Sequence, residues 1–272
     1  MIARIIQILG LNGVPAAGWF GGGWTEGTVM AVYWTESILM ALLVALRISW
    51  HWRKTRKAGH LQGEVMKAKH SRSESIKKKG HPFLWGYLTT SMGFLIPQGV
   101  MLAVVLAMLH GREGVGDATI QLPAYLKGMG AVLVFLLFGF VLDVRTIASR
   151  PFAWIRSMAE HSMGRVFVFQ FSILVGLPLL AYFEQPRYFF GVFVFLKTLM
   201  DFGIYLPSYN PKEPPRWLCA LMDKIPPAPG IEATSFAEYW KGDVTEQEER
   251  YARDEEVVGS AQSGPEEPQQ PT

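Results

Sequence analysis

Thr28-Val-Met-Ala-Val-Tyr-Trp-Thr-Glu36-Ser-Ile-Leu-Met-Ala-Leu-Leu-Val-Ala-Leu-Arg47-Ile-Ser-Trp50 is the stretch whose reading decides the fold. At 1.5 Å of rise per residue, about 20 apolar residues in a helix cross a hydrocarbon layer about 30 Å thick. Inside such a layer only a helix or a closed barrel satisfies every backbone amide and carbonyl. The run is long enough for the helix and lacks the alternation of a barrel strand, so it predicts a membrane-crossing helix that carries one carboxylate, Glu36.

The same template, moved outward, matches residues 83–109, 128–148, 164–183 and, despite two charges, 187–207; residues 1–20 match loosely. The predicted fold class is therefore all-α: a polytopic bundle of about six transmembrane helices over residues 1–210. A basic loop spans 51–82, and an acidic, largely disordered tail spans 211–272. Composition agrees, with 50% apolar residues, a mean hydropathy of +0.17 and nine Trp available for the two water–lipid boundaries. The net charge of +3 hides a split: residues 208–272 hold six Lys or Arg against thirteen Asp or Glu, and the rest of the chain is strongly basic.

Residues 1–20 show Arg4, an apolar run from Ile5 and small residues at Ala16, Ala17 and Gly18, a weak likeness to a signal peptide. The interruption at Asn12-Gly13 and Pro15 favours a distorted first span instead. The single cysteine, Cys219, allows no intramolecular disulfide and no cysteine-based zinc site.

Orientation follows from Lys and Arg in short loops, which are retained on the cytoplasmic side. The loop 51–82 carries Arg53, Lys54, Arg56, Lys57, Lys67, Lys69, Arg72, Lys77, Lys78 and Lys79, and the segment 149–163 adds Arg150 and Arg156. Both ends of the chain are then expected in the cytoplasm, and the bundle in a cell inner (plasma) membrane. Pro151 to Ser162 and Arg216 to Lys224 mix aromatic and basic residues as helices lying in the interface do. In the tail, Thr245 and Glu248 have capping-box spacing, which predicts a modest helix around Val244 to Val257. No internal repeat is visible.

Charges inside spans cost a few kcal/mol each and should face the bundle interior with a partner. Glu36 in the second span and Lys197 in the sixth both count to roughly 12–15 Å from the outer end, so an ion pair is available. Asp201 lies one turn deeper on the face of Lys197. Gln170 reaches a similar depth from the opposite side of the fifth span. One reading makes Glu36, Lys197, Asp201 and Gln170 a relay or binding site for an ion, proton or small polar solute. The other makes them a neutralised cluster that registers helix packing, and it is preferred because a matched pair satisfies itself. Two carboxylates against one lysine keep the first alive. Gln98, after the helix-perturbing Pro97, and Ser91 are secondary polar positions, and Asp143 is expected to reach headgroups or loop partners.

The six histidines fall in loops or at span ends, which reads as surface placement and leaves no intramembrane metal site; none of the zincin, nucleophile-elbow or P-loop patterns occurs. No metal and no cofactor is expected. The basic loop reads as a topology signal with attraction for anionic lipid headgroups, without a nucleic-acid partner.

Three stretches, Ala31-Val32-Tyr33-Trp34-Thr35-Glu36-Ser37, Arg165 to Gly176 and Leu196-Lys197-Thr198-Leu199-Met200-Asp201, resemble the membrane family catalogued as domain of unknown function 6498. The resemblance covers roughly residues 8–210. It implies a Tyr-Trp-x-Glu motif early and a Leu-Lys-Thr-x-x-Asp motif in the last span, so that Glu36, Lys197 and Asp201 belong to the family pattern; it implies no activity. Where the family pattern implies histidines within the third and fifth spans, this chain has Ser91, Gln98 and Gln170. Three functional classes follow in order: a non-enzymatic membrane bundle with a buried Glu-Lys-Asp cluster, a transporter for an ion or small solute, and a membrane-embedded enzyme.

Overall fold

A computed structural model of the chain describes residues 2–62, 82–109, 119–183, 195, 197–199, 213–222 and 235–258. Those residues are helical with connecting turns, and they contain no strand; one isolated bridge pairs Lys57 with Val257. The helices are α1 (Ile2–Phe20), α2 (Glu26–Thr55), α3 (Pro82–Leu109), α4 (Leu122–Thr146), α5 (Phe152–Phe183), α6 (Arg216–Met222) and α7 (Phe236–Glu255). Short 3-10 turns at Ala58–Leu61 and Ile147–Ser149 follow α2 and α4.

Among the described residues, three helices are long and apolar enough to cross a membrane: α2, the Pro82–Val104 part of α3, and Leu122–Ser149. Their outer faces carry apolar rows, Ile96, Val100 and Val104 on α3 and Leu126, Leu133, Leu137 and Val141 on α4, all exposed. Apolar surface on that scale calls for an apolar surrounding. The expected first span is a helix whose apolar part, Ile5–Phe20, is shorter than those three. The expected sixth span, 187–207, lies outside the described residues except for helical positions at 195 and 197–199.

α2 is the hub. It is packed by α1 and α4 and by α3 and α5, and Val29, Val32, Tyr33, Ala41, Val44 and Ile48 are buried along it. Its start is fixed by Thr25, whose hydroxyl accepts from the Thr28 amide at 3.3 Å and lies 2.7 Å from the Thr28 hydroxyl. Its end is closed by Arg56 in the left-handed region (φ 52°), with its amide donating to the Trp52 carbonyl at 3.0 Å.

α1 runs through Asn12 and Pro15 without a break, because Asn12 turns inward and its Nδ2 donates to the Ile8 carbonyl at 3.1 Å. Small residues let α1 approach α4: a Cβ on Gly10 would fall 2.4 Å from the Phe135 ring.

The segment 151–162 does not form a separate interfacial helix. It is the first part of the continuous α5, and Phe152, Ile155, Ala159 and Met163 are buried against Ile48, Phe83, Tyr87 and Ile147. Their spacing of three and four residues is one stripe of a packed helix, so the aromatic residues read as interface anchors serve the core. The ends of α2 and α4 and the start of α5 thus meet at one end of the bundle, the basic end.

The tail differs from its composition-based expectation. Residues 235–258 include a docked helix of twenty residues, α7, which starts at Phe236 with Ser235 as its N-cap rather than near Val244. It is held by charge more than by apolar burial, which explains why an acidic, aliphatic-poor stretch reads as disordered. Arg156 Nη2 lies 2.8 Å from Asp254 Oδ2, Lys57 pairs with Glu255, and the Ala153 amide donates to Glu255 Oε1 at 3.3 Å. Backbone bonds from the Ala58 amide to the Glu256 carbonyl (2.7 Å) and from the Val258 amide to the Arg56 carbonyl (2.9 Å) complete the clasp.

Candidate functional site

Glu36, Met40, Val44, Arg47 and His51 recur every three or four residues and so lie along one face of α2. Two buried ion pairs and a histidine pair are built on this face.

The first is centred on Glu36, which is 1% exposed. Its Oε1 accepts from Lys197 Nζ at 3.0 Å and from Arg165 Nη2, on α5, also at 3.0 Å. Lys197 Nζ donates in addition to Asn12 Oδ1 on α1 at 3.0 Å and lies 5.0 Å from the centre of the Tyr33 ring. Arg165 of α5 and Lys197 therefore meet at the Glu36 carboxylate, and α1 joins the group through Lys197. Its other oxygen, Oε2, is buried and has no hydrogen-bond partner among the described residues. Two cations thus share one carboxylate oxygen.

The second pair joins Arg47 Nε and Asp143 Oδ2 at 3.0 Å, with both side chains 4% exposed, and Arg47 also lies 5.0 Å from the Phe140 ring centre. The expectation that Asp143 reaches headgroups or loops fails here. α4 turns it onto α2, where Arg47 compensates the cost of burying it.

The third feature corrects the surface reading of the histidines. His51 and His60 are 0% and 2% exposed. His51 Nδ1 lies 2.8 Å from His60 Nε2, and His51 Nε2 lies 3.1 Å from the Arg150 carbonyl. The His60 ring packs among Trp52, Phe83 and Phe152. Two histidines alone do not make a metal site, and no cluster of three metal-ligating side chains occurs among the described residues.

Between the two ion pairs lies a cavity of about 370 Å³, walled by Met40, Val44 and Arg47 of α2, Gln7 of α1, Asp143 of α4 and, on α5, Trp154, Ser157, Met158, His161, Ser162 and Arg165, with Arg150 at its rim. His161 Nδ1 lies 2.6 Å from the Ser157 carbonyl, so that nitrogen carries a proton and donates it. Arg165 touches both the cavity and Glu36, so it is the link between the open space and the buried cluster.

Of the other positions singled out in the sequence, Asp201 lies outside the described residues. The backbone at Gln170 belongs to α5, and its side chain is outside the described set. Gln98 is 1% exposed, and neither its Oε1 nor its Nε2 has a hydrogen-bond partner among the described residues. Ser91 is buried on α3 near Tyr87, whose hydroxyl lies 2.9 Å from Ser162 Oγ. Neither Gln98 nor Ser91 lines the cavity. Arg47, Arg165 and Asn12 are the residues that sequence reading missed. The first two were hidden by their places near span ends, where a basic residue reads as a topology marker; Asn12 was hidden inside what looked like a helix break.

No curated protein and no solved structure matches the chain. A family model described as a family of unknown function (DUF6498) matches residues 2–216, and the chain belongs to that family.

Proposed function

We propose that this chain is an integral membrane protein that admits a small polar solute or ion into the cavity beside α2, where Arg165 couples the solute to the Glu36–Lys197 pair. The observation that carries this reading is the shared position of Arg165, which lines open space on one side and holds a buried carboxylate on the other. Glu36 Oε2, buried and without a hydrogen-bond partner among the described residues, supports it as an acceptor that a water or a displaced cation can meet. About six spans with both chain ends in the cytoplasm of a cell inner membrane remain part of the proposal. The docking of α7 against the segment that opens the basic loop supports the tail and that loop on one side. Anionic lipid headgroups are the partners proposed for the loop.

Single cysteines at Met158, His161 and Arg165, in a chain with Cys219→Ser, test the proposal. A membrane-impermeant thiol reagent is expected to label all three from one side of a sealed vesicle. Protection of all three would sink the pathway.

A second reading, a non-enzymatic scaffold, is favoured by the Arg47–Asp143 pair, opposite charges 3.0 Å apart with both side chains 4% exposed. Buried pairs of that kind serve as packing registers.

A further inference from the structure

We infer that a buried water-binding site lies between α2 and α3 at the level of Glu36, held by the Gln98 amide and Glu36 Oε2. The site stands on its own geometry; its role as the next polar station beyond the cavity rests on the reading above.

Ser91, Leu95, Gln98 and Leu102 are buried and recur every three or four residues, so they form the inward face of α3, while Ile96, Val100 and Val104 are exposed. Leu95 packs with Ala41 of α2 and Val166 of α5, and Leu102 packs with Val29 and Tyr33 of α2. Gln98 stands between those two contacts and therefore faces α2 between Tyr33 and Ala41, the interval that contains Glu36. Three contacts fix this level. Arg165, next to Val166, reaches Glu36 Oε1 at 3.0 Å, and Trp34 Nε1 donates to the Leu95 carbonyl at 3.1 Å. The Tyr33 ring, which packs with Leu102, has its centre 5.0 Å from Lys197 Nζ.

Gln98 is 1% exposed, and neither its Oε1 nor its Nε2 has a hydrogen-bond partner among the described residues; Glu36, also 1% exposed, leaves Oε2 in the same condition. Exchanging the oxygen and nitrogen of the amide helps neither, because both positions are unmatched. A buried polar atom in that state costs about as much as a broken hydrogen bond, and here three such atoms share one depth of the bundle.

The chemistry of the three atoms selects the occupant. Gln98 Nε2 needs an acceptor, whereas Gln98 Oε1 and Glu36 Oε2 need donors. A metal cation offers nothing to Nε2, and an anion without protons offers nothing to the two oxygens. Water serves both, and a buried water ordinarily makes about two to four such bonds. Met40 belongs to the cavity wall, and Glu36 stands one turn before it on the same face of α2. The water thus extends the polar line that runs from the cavity through Arg165 and Glu36 to α3.

Water-edited solid-state NMR on the chain in lipid bilayers, with nitrogen-15 in its glutamine side chains, tests the site. Gln98→Met assigns the signal, and Gln98→Asn does so should the first variant not fold. A water cross-peak to the Gln98 side-chain NH2 is expected. Gln98→Met is expected to melt about 2–6 °C below the parent, because it strands Glu36 Oε2. A Gln98 signal without a water cross-peak overturns the site. So does a Gln98→Met protein that melts at or above the parent, the result due when an unmatched amide gives way to an apolar chain. Cysteines at 158, 161 and 165 that label while Gln98 is dry would leave the cavity reading standing and remove only this site. A wet Gln98 with all three cysteines protected keeps the site and removes the pathway it extends.

Discussion

Glu36→Gln keeps the shape of the side chain and removes the carboxylate charge that Lys197 and Arg165 share. Lys197 Nζ and Arg165 Nη2 each sit 3.0 Å from the same oxygen, so they lie at most about 6 Å apart, where two unit charges repel by about 3 kcal/mol at an effective dielectric of ~20. Loss of two charge-assisted hydrogen bonds adds to this and local relaxation offsets part of it, so the net cost is about 3–5 kcal/mol, as for other broken buried pairs. For a chain of this size that corresponds to a fall of roughly 10 °C in melting temperature, read by light scattering or intrinsic fluorescence in detergent. Lys197→Met should cost less, because Glu36 keeps Arg165. The double variant Glu36→Gln/Lys197→Met should be more stable than Glu36→Gln alone, since one of the two repelling cations is gone. A Glu36→Gln protein that melts within 2 °C of the parent (about 1 kcal/mol or less), or a double variant whose loss equals the sum of the singles, refutes the shared-carboxylate geometry.

Asp143→Asn leaves Arg47 buried against an uncharged partner and should cost about 3–5 kcal/mol, whereas Arg47→Met/Asp143→Leu should recover most of it; thermal melts of the three variants check the order. Gly10→Val places methyl groups on the Phe135 ring and should cost about 1–3 kcal/mol by overpacking, with Phe135→Leu as its suppressor. Burial raises the Asp254 carboxyl above its ordinary value of 3.8 more than Arg156, the neighbouring Gln62 and Arg250 lower it. The docked α7 therefore binds that proton better than the undocked one, so this contribution is full at low pH and is lost as pH rises through the raised value. Hydrogen-exchange protection across 236–255, with the intrinsic pH dependence of exchange divided out, should be greater at acid than at neutral pH, and Asp254→Asn should flatten the difference.

The apolar runs announced α2, α3 and α4 because twenty residues without water-seeking groups admit few other structures. Counting residues along a helix also put Glu36 and Lys197 at one level, since rise per residue is nearly constant. The same count carries no information about which way a side chain points around the axis. Arg165 and Arg47 stand near the ends of their apolar runs, where a basic residue turned outward to headgroups and one turned inward to a carboxylate have the same local sequence. Asp143 was misplaced for that reason. The histidine pair escaped because its burial depends on the chain folding back at Arg56 and bringing His60 under Phe152, a contact between parts of the chain ninety residues apart. α7 escaped because its partners, Lys57 and Arg156, belong to segments read as loop and interface.

The clasp that α7 makes also sets an order of events. Ribosomes deliver Arg56–Leu61 and the beginning of α5 long before residues 235–258 emerge, so the early helices must wait, with those cations and backbone groups still hydrated, until the final helix arrives to fasten them. A chain stalled or cut before residue 235 would carry every apolar helix described here and yet lack the helix that clasps the Arg56–Leu61 turn to the start of α5.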